Sequence, residues 1–440
     1  LVTSVTVIMT RRVIAHAGAF CERCGTLLRV TAPRSSLFSG PAGRTLLLLT
    51  GVNLLNYLDR FVVSALVESL RADLGLSDFR LGVLMTAFMV VYTLASPLFG
   101  ALGDRRHRPR LLAIGVAVWS VATVLSGFAA GFVSLLLARA AVGVGEAAYA
   151  TVSPALMADH FERSRRGRAF ALFFAAIPVG SALGYVVGGL IDRSFGWRAA
   201  FFAVGLPGLL LAALVWRQPD PPRGRFEEGT VAGPRPLTQA WRALAGNRPY
   251  VLAVLGYAAY SFATGALGFW MPAFLERTRG IPRAEATVEF GAIVVLTGLV
   301  GTLVGGWIAD RLRARIANAD LWVCGLSALA SAPLALVALT ASSQAVYLGT
   351  LVLGQLFLFA SAGPINDVIV AVVPPSERAT ASAVAILSIH ALGDVPSPPL
   401  VGAISDRTGL ATAVLIVPAA IALAGLLWTW GAARRPAASA

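Results

Sequence analysis

Seven ionisable side chains stand well inside long apolar runs of this 440-residue chain: Asp59, Arg60, Arg139, Glu146, Asp367, His390 and Asp394. Each costs at least about 2–3 kcal/mol at the centre of a lipid-facing helix, so all are expected to face a protein interior. Burial favours a protonated carboxyl, whereas a nearby arginine favours the ionised form. A carboxylate that alternates between those surroundings takes up and releases a proton. Asp59 is the expected proton carrier, with Arg139 and Glu146 as a coupled pair: seven residues apart on one helix face, they cannot easily touch but can share a bridging group, for which Arg60 or Asp59 is the expected partner. At about 100° per residue, Asn53, Asn56, Arg60 and Ser64 share a face of their helix, and Asp59 points elsewhere. Arg60 is therefore expected to be a substrate-facing cation, with Asn53, Asn56 and Tyr57 beside it. His390 and Asp394, four residues apart, are close enough to hydrogen-bond, and Pro396, Pro398 and Pro399 must kink the helix beyond them. Such kinks are tolerated at membrane depth where they line a cavity. His390, Asp394 and the aromatic pair Tyr257 and Tyr260 complete the expected binding set. The bland alternative is a neutral ion-pair network that only fixes helix packing.

The elements that must position these groups follow from composition. Apolar residues make up 57% of the chain and charged residues 13%, with a mean hydropathy of +0.75; a soluble chain is nearer 25% charged. Runs of about 20 apolar residues, enough to cross a bilayer, recur throughout. The reading is an all-α polytopic membrane protein with twelve transmembrane helices. Their expected positions are 45–68, 81–102, 111–130, 133–157, 168–191 and 198–216, then 249–274, 287–309, 320–340, 345–372, 379–403 and 410–430. Residues 217–248 form a polar linker between two six-helix bundles, 45–216 and 249–430. Residues 1–44 and 431–440 are expected to be cytoplasmic tails.

All 36 basic residues are arginine, and the net charge is +14. The arginines collect in loops rather than in a nucleic-acid-binding patch. With both termini cytoplasmic, 26 fall inside and 8 outside, and Arg60 and Arg139 lie within spans; this asymmetry fixes the expected orientation. Cys21 and Cys24 form one CxxC pair with no second pair or nearby histidine, so no zinc site is expected. Cys324 reads as a small core residue. No nucleotide loop, metal cluster or nucleophile–base pattern points to an enzyme, and no cofactor beyond protons is expected.

The two halves repeat one another. "GALGDR" after the second span returns as "GWIADR" after the eighth, "GLIDR" as "AISDR", and "RGRAFA" as "RATASA". Repeats of this kind build transporters with a central site. Gly100, Asp104, Arg105 and Arg108, with Gly306, Asp310 and Arg311, are expected to form a gate at the cytoplasmic side. There glycines let helices approach and the aspartates pair with arginine or cap a helix.

That paired loop resembles the signature of the major facilitator superfamily, with His107 where a glycine is usual. "NYLDR", "RAAVGVGEAAYATVSPALMADHF", "GWRAAFFAVGLPGLL" and "ALGDVPSPPLVGAISDRTG" together resemble its Spinster branch. The resemblance implies a proton-coupled carrier of lysophospholipids or sphingosine-type lipids; the expected location is the inner (plasma) membrane. It carries functional roles onto Asp59, Arg60, Arg139 and Glu146. The expected partners are membrane lipids and an amphiphilic substrate, and the protein is expected to act as a monomer. A proton-coupled antiporter of drugs or small organic anions, and a receptor-like protein on a transporter fold, stay open as alternatives.

Overall fold

The computed structural model describes residues 37–38, 40–226, 242, 244–373 and 378–434. The Cys21–Cys24 pair, most of the tail 1–44 and much of the linker lie outside them.

Twelve helices among the described residues are long and apolar enough to cross a membrane. They are α1 (Gly40–Ala65), α2 (Asp78–Arg105), α3 (Arg108–Gly127), α4 (Phe132–His160), α5 (Arg165–Phe195) and α6 (Trp197–Trp216) in the first half. The second half has α7 (Arg248–Arg279), α8 (Arg283–Arg313), α9 (Ala319–Thr340), α10 (Gln344–Ile369), α11 (Ala381–Thr408) and α12 (Leu410–Arg434). Helices are the expected solution, because within hydrocarbon each backbone N–H and C=O must be satisfied inside the segment. Side-chain caps start several of them: Ser77 accepts from Arg80 N before α2, and Asn247 accepts from Tyr250 N before α7. After twelve crossings α12 ends on the side where α1 begins. We refer to it as the terminal end and to the other as the far end.

The packing is pseudo-symmetric. In the first half α2 packs on α4, and α3 on α4 and α6. In the second half the equivalent helices repeat the pattern, α8 on α10, and α9 on α10 and α12. The halves meet through α2 against α11 and α5 against α8, themselves related by the same repeat.

Two elements differ from the sequence reading, and a third agrees with its expected kink. The first span ends at Ala65, and Val67–Leu74 forms a separate short helix at the far end. The tenth span breaks over 361–363 and restarts at Pro364. The eleventh carries a π-turn, His390–Asp394, before a new helix starts at Ser397. The proline cluster thus interrupts the helix immediately after Asp394, as its chemistry requires.

The two glycines of "GVGEA" let α4 press against two neighbours at once. A Cβ on Gly143 would lie 2.5 Å from Phe88 O of α2, and one on Gly145 would lie 2.5 Å from Gly115 O of α3. Small residues permit such backbone approach in membranes. Gly143→Val is expected to push α4 off α2 and cost about 1–3 kcal/mol through overpacking. A lowered thermal midpoint in detergent, with weakened transport, is the readout; an unchanged midpoint would contradict this packing role.

Candidate functional site

Four charges from α1 and α4 meet beneath the surface. Arg60 Nη2 lies 2.7 Å from Glu146 Oε2, and Arg139 Nη1 lies 3.2 Å from Asp59 Oδ1. Asp59 also accepts a hydrogen bond from Thr123 of α3. Arg139 and Glu146 do not pair with each other; each takes a partner from α1. The reason is angular: Asp59 and Arg60 point about 100° apart on one helix, so each reaches a different turn of α4. The four charges cancel. Asp59, Arg139 and Glu146 are essentially inaccessible, at 1%, 1% and 0% exposure.

Aromatic rings hold the cations. Arg60 lies over Tyr57, Phe88 and Tyr92 at 4.9, 5.0 and 5.3 Å from their centroids, and Arg139 lies over Phe88 at 5.4 Å. Phe88 is thus shared by both guanidinium groups, an arrangement that stabilises desolvated arginine. Hydrogen bonding is incomplete even so. Arg60 Nε, Arg139 Nη2, Glu146 Oε1 and Asn56 Nδ2 are buried without a protein partner.

A cavity of about 400 Å³ opens beside this network, between the two halves. Tyr57, Arg60 and Ser64 line it from α1, Tyr257 and Tyr260 from α7, and Asp394 from α11. Asn53 and Asn56 do not line it: both are buried, and Asn53 Nδ2 donates to Phe173 O, tying α1 to α5. His390 stands one layer back, with Nδ1 3.0 Å from both Asp394 oxygens. Its ring meets Tyr92 edge-on at 6.3 Å, so Tyr92 of the first half touches both Arg60 and His390. At the roof, Tyr185 OH donates to Gly268 O at 2.5 Å, joining α5 to α7.

Sequence reasoning missed Thr123, Phe88 and Tyr92. Thr123 had a signal: Ser120, Thr123 and Ser126 recur every third residue in α3, and all three are fully buried. Phe88 and Tyr92, four apart, gave only an aromatic spacing common in membrane helices.

Residues 49–393 match the family model of the Major Facilitator Superfamily. Protein spinster of Drosophila melanogaster is 36% identical over 373 residues, which span 82% of this chain and 62% of that protein. Protein spinster homolog 3 of Danio rerio is 38% identical over 374 residues, 81% of this chain and 75% of that one. Protein spinster homolog 1 of Homo sapiens is 38% identical over 397 residues, 85% and 75% of the two chains. The chain belongs to the Spinster family. It is a multi-pass membrane transporter of small molecules and not an enzyme. The fold agrees with a bacterial homologue of the human lysosomal transporter Spinster in an inward-facing, occupied conformation, at a TM-score of 0.80 and 22% identity. That match covers 90% of this chain and 98% of the other. An inward-facing, unoccupied form gives 0.77 at 24% identity, covering 90% and 96%.

In this Spinster-family transporter the two ends differ. At the far end, Arg277 of α7 binds Asp78 through Nη1 at 2.6 Å and Glu68 through Nε at 2.5 Å. Arg283 of α8 binds Asp192 of α5 at 2.9 Å and also donates to Ser69. Asp406 of α11 accepts from the backbone N–H of Asp78 and Phe79 at 2.8 and 3.0 Å, capping the first turn of α2. A helix N-terminus favours such an anion. Backbones are close here as well: a Cβ on Gly402 would lie 2.6 Å from Asp78 C, and one on Gly82 would lie 2.5 Å from Pro398 C. Every one of these contacts joins the two halves, so the far end is closed.

At the terminal end, ion pairs between described residues stay within one half. Arg108 is buried and binds Asp159 and Asp220 at 2.5 and 2.8 Å, with Nη2 donating to Pro221 O. It anchors the start of the linker to the first half. Arg313 binds Asp310, Asp320 and Asp367 at 2.8, 2.8 and 2.6 Å within the second half. Asp367, expected inside a span, is therefore a terminal-end residue, 60% exposed. Asp104, Arg105, Asp310 and Arg311 are exposed. Among the described residues, no atom lies within 4 Å of a Cβ built on Gly306, and Gly100 meets only Thr151 Cγ2 at 3.5 Å. The close approach expected at these two glycines is absent in this state; the closed end is the opposite one.

Proposed function

We propose that this transporter carries an amphiphilic lipid of lysophospholipid or sphingosine type by alternating access, coupled to protons. It acts as a monomer in the inner (plasma) membrane with both termini cytoplasmic, so the far-end-closed form is inward-facing. The observation that carries this reading is Arg60 at the wall of an aromatic cavity shared by both halves, with its carboxylate partner buried behind it. Aromatic and apolar surface suits an acyl chain, and a guanidinium suits an anionic headgroup.

The crossed pairs supply the coupling. Protonation of Asp59 removes the charge that holds Arg139, whose Nη2 already lacks a partner. Arg139 then turns to Glu146 on its own helix face, and Arg60 is released to the substrate headgroup. Loss of the proton reverses each exchange and expels the headgroup. Asp104, Arg105 and Arg108, with Asp310 and Arg311, rearrange to join the halves when the terminal end closes.

Purified protein in proteoliposomes under a pH gradient tests this reading. Addition of a lysophospholipid is expected to produce proton movement that depends on the lipid. Movement of a small organic anion or drug without any lysophospholipid response would overturn the lipid assignment. Lipid movement that ignores the gradient would overturn the coupling.

A further inference from the structure

A second cavity, of about 580 Å³, lies between the terminal ends of α7 and α12, away from the transport path. Arg248 on the first turn of α7 and Arg434 on the last turn of α12 stand at its edge, over Val251, Leu252, Trp430 and Gly431. No acidic residue lines it, and neither guanidinium has an ion-pair partner among the described residues. Arg434 is laid across the Trp430 ring, 4.7 Å from its centroid, and Trp430 is itself half-exposed.

Helix register extends this site into the bilayer. Trp428 Nε1 donates to Ala253 O at 3.1 Å, which fixes α7 against α12. In that antiparallel register Arg248 comes level with Arg434, and about two turns deeper Leu255 comes level with Leu426. Both leucines are outward-facing, at 39% and 58% exposure. The result is a groove with two cations and a helix N-terminus at the headgroup level and an apolar floor below. Tryptophan marks that interfacial level in membrane proteins, and the N-terminus of α7 adds positive potential.

We propose that this groove holds an anionic membrane phospholipid, its phosphate between Arg248 and Arg434 and one acyl chain along Leu255 and Leu426. Charge complementarity favours an anionic over a zwitterionic headgroup. The apolar continuation favours a lipid over free phosphate, which would use only the rim. The site is separate from the central cavity and independent of which substrate that cavity takes.

Native mass spectrometry of the full chain in detergent, titrated with phosphatidylglycerol or phosphatidylcholine, tests the proposal. Retention of phosphatidylglycerol but not phosphatidylcholine is expected. The double variant Arg248→Gln/Arg434→Gln should bind it about thirtyfold more weakly, at about fivefold per arginine near an anionic surface. Arg248→Lys/Arg434→Lys should retain it within a few-fold. Equal retention of both lipids by the wild type would overturn the assignment, as would unchanged affinity in the glutamine variant. Displacement by millimolar inorganic phosphate would identify a free-anion site instead and also overturn it. Should the glutamine variant fail to elute as folded protein, the wild-type lipid preference still decides.

Discussion

Arg277→Gln is expected to open the far end. The Arg277 guanidinium joins Asp78 and Glu68, whose side chains are 3% and 13% exposed, so its removal leaves two nearly buried carboxylates with only the half-exposed Arg71, at 3.7 and 4.0 Å, as a cation. Breaking a buried pair by deleting one partner costs about 3–5 kcal/mol; partial solvent access at Arg277 reduces this to about 2–3 kcal/mol. These contacts join the halves only while the far end is closed. Their loss therefore acts on the balance between states and shifts it roughly 30- to 150-fold toward the form open at that end. The readout is labelling of a Ser64→Cys reporter on the cavity wall by an impermeant maleimide applied from the far side. Labelling should rise steeply, and transport should fall because the closed-far-end state is no longer reached often enough. Gly402→Val offers a control without a charge change, since a Cβ there would press on Asp78 C at 2.6 Å. It should shift labelling in the same direction. If far-side labelling stayed at the wild-type rate in both variants, the clasp would have no gating role.

Those clasp residues show where the sequence stops being informative. Glu68, Asp78, Arg277 and Arg283 read as ordinary loop charges, because the contacts that define them join positions roughly 90 to 210 residues apart. Nothing local marks such a pairing. By contrast, "NYLDR" and "GVGEA" were legible, since an intramembrane charge is costly wherever it stands and its angular position follows from helix geometry. What could not be read was which residue of α1 goes to which residue of α4. The seven-residue spacing of Arg139 and Glu146 is too long for easy contact and calls for a bridging group from α1; Arg60 and Asp59 supply it, one to each. The twelve spans and the halves followed from hydropathy and repetition. The interruption after Asp394 followed from the proline cluster, whereas the break at 361–363 depended on packing that only the folded body supplies. Arg108, placed by its motif in the expected gate, is buried in this state and anchors the linker.

Asp59→Asn and Glu146→Gln separate the two roles assigned to the crossed pairs. Asparagine at 59 keeps a hydrogen-bond partner for Thr123 but no longer neutralises Arg139, which is then free to hold Glu146 permanently. Arg60 is left available to substrate at any pH. Binding should persist, within about threefold of the acid-state wild type, while proton-driven accumulation is lost. Glutamine at 146 removes the competitor of Arg60 directly. A hydrogen bond to a charged group contributes about 1.5–3 kcal/mol, so headgroup affinity at alkaline pH should rise by about ten- to a hundredfold. The sign of the pH dependence follows: wild-type binding strengthens as pH falls, because protonation releases Arg60, and Glu146→Gln makes it strong and flat. Arg60→Gln should do the opposite, with binding weak at every pH and no gain from acidification. Equilibrium binding of a lysophospholipid across pH, beside uptake under an imposed gradient, distinguishes these outcomes. Uptake that still follows the gradient in Asp59→Asn would remove Asp59 from the coupling path. A pH-sensitive Glu146→Gln would show that Arg60 is controlled by another carboxylate, and Asp394, on the facing wall of the same cavity, is the one within the structure's reach.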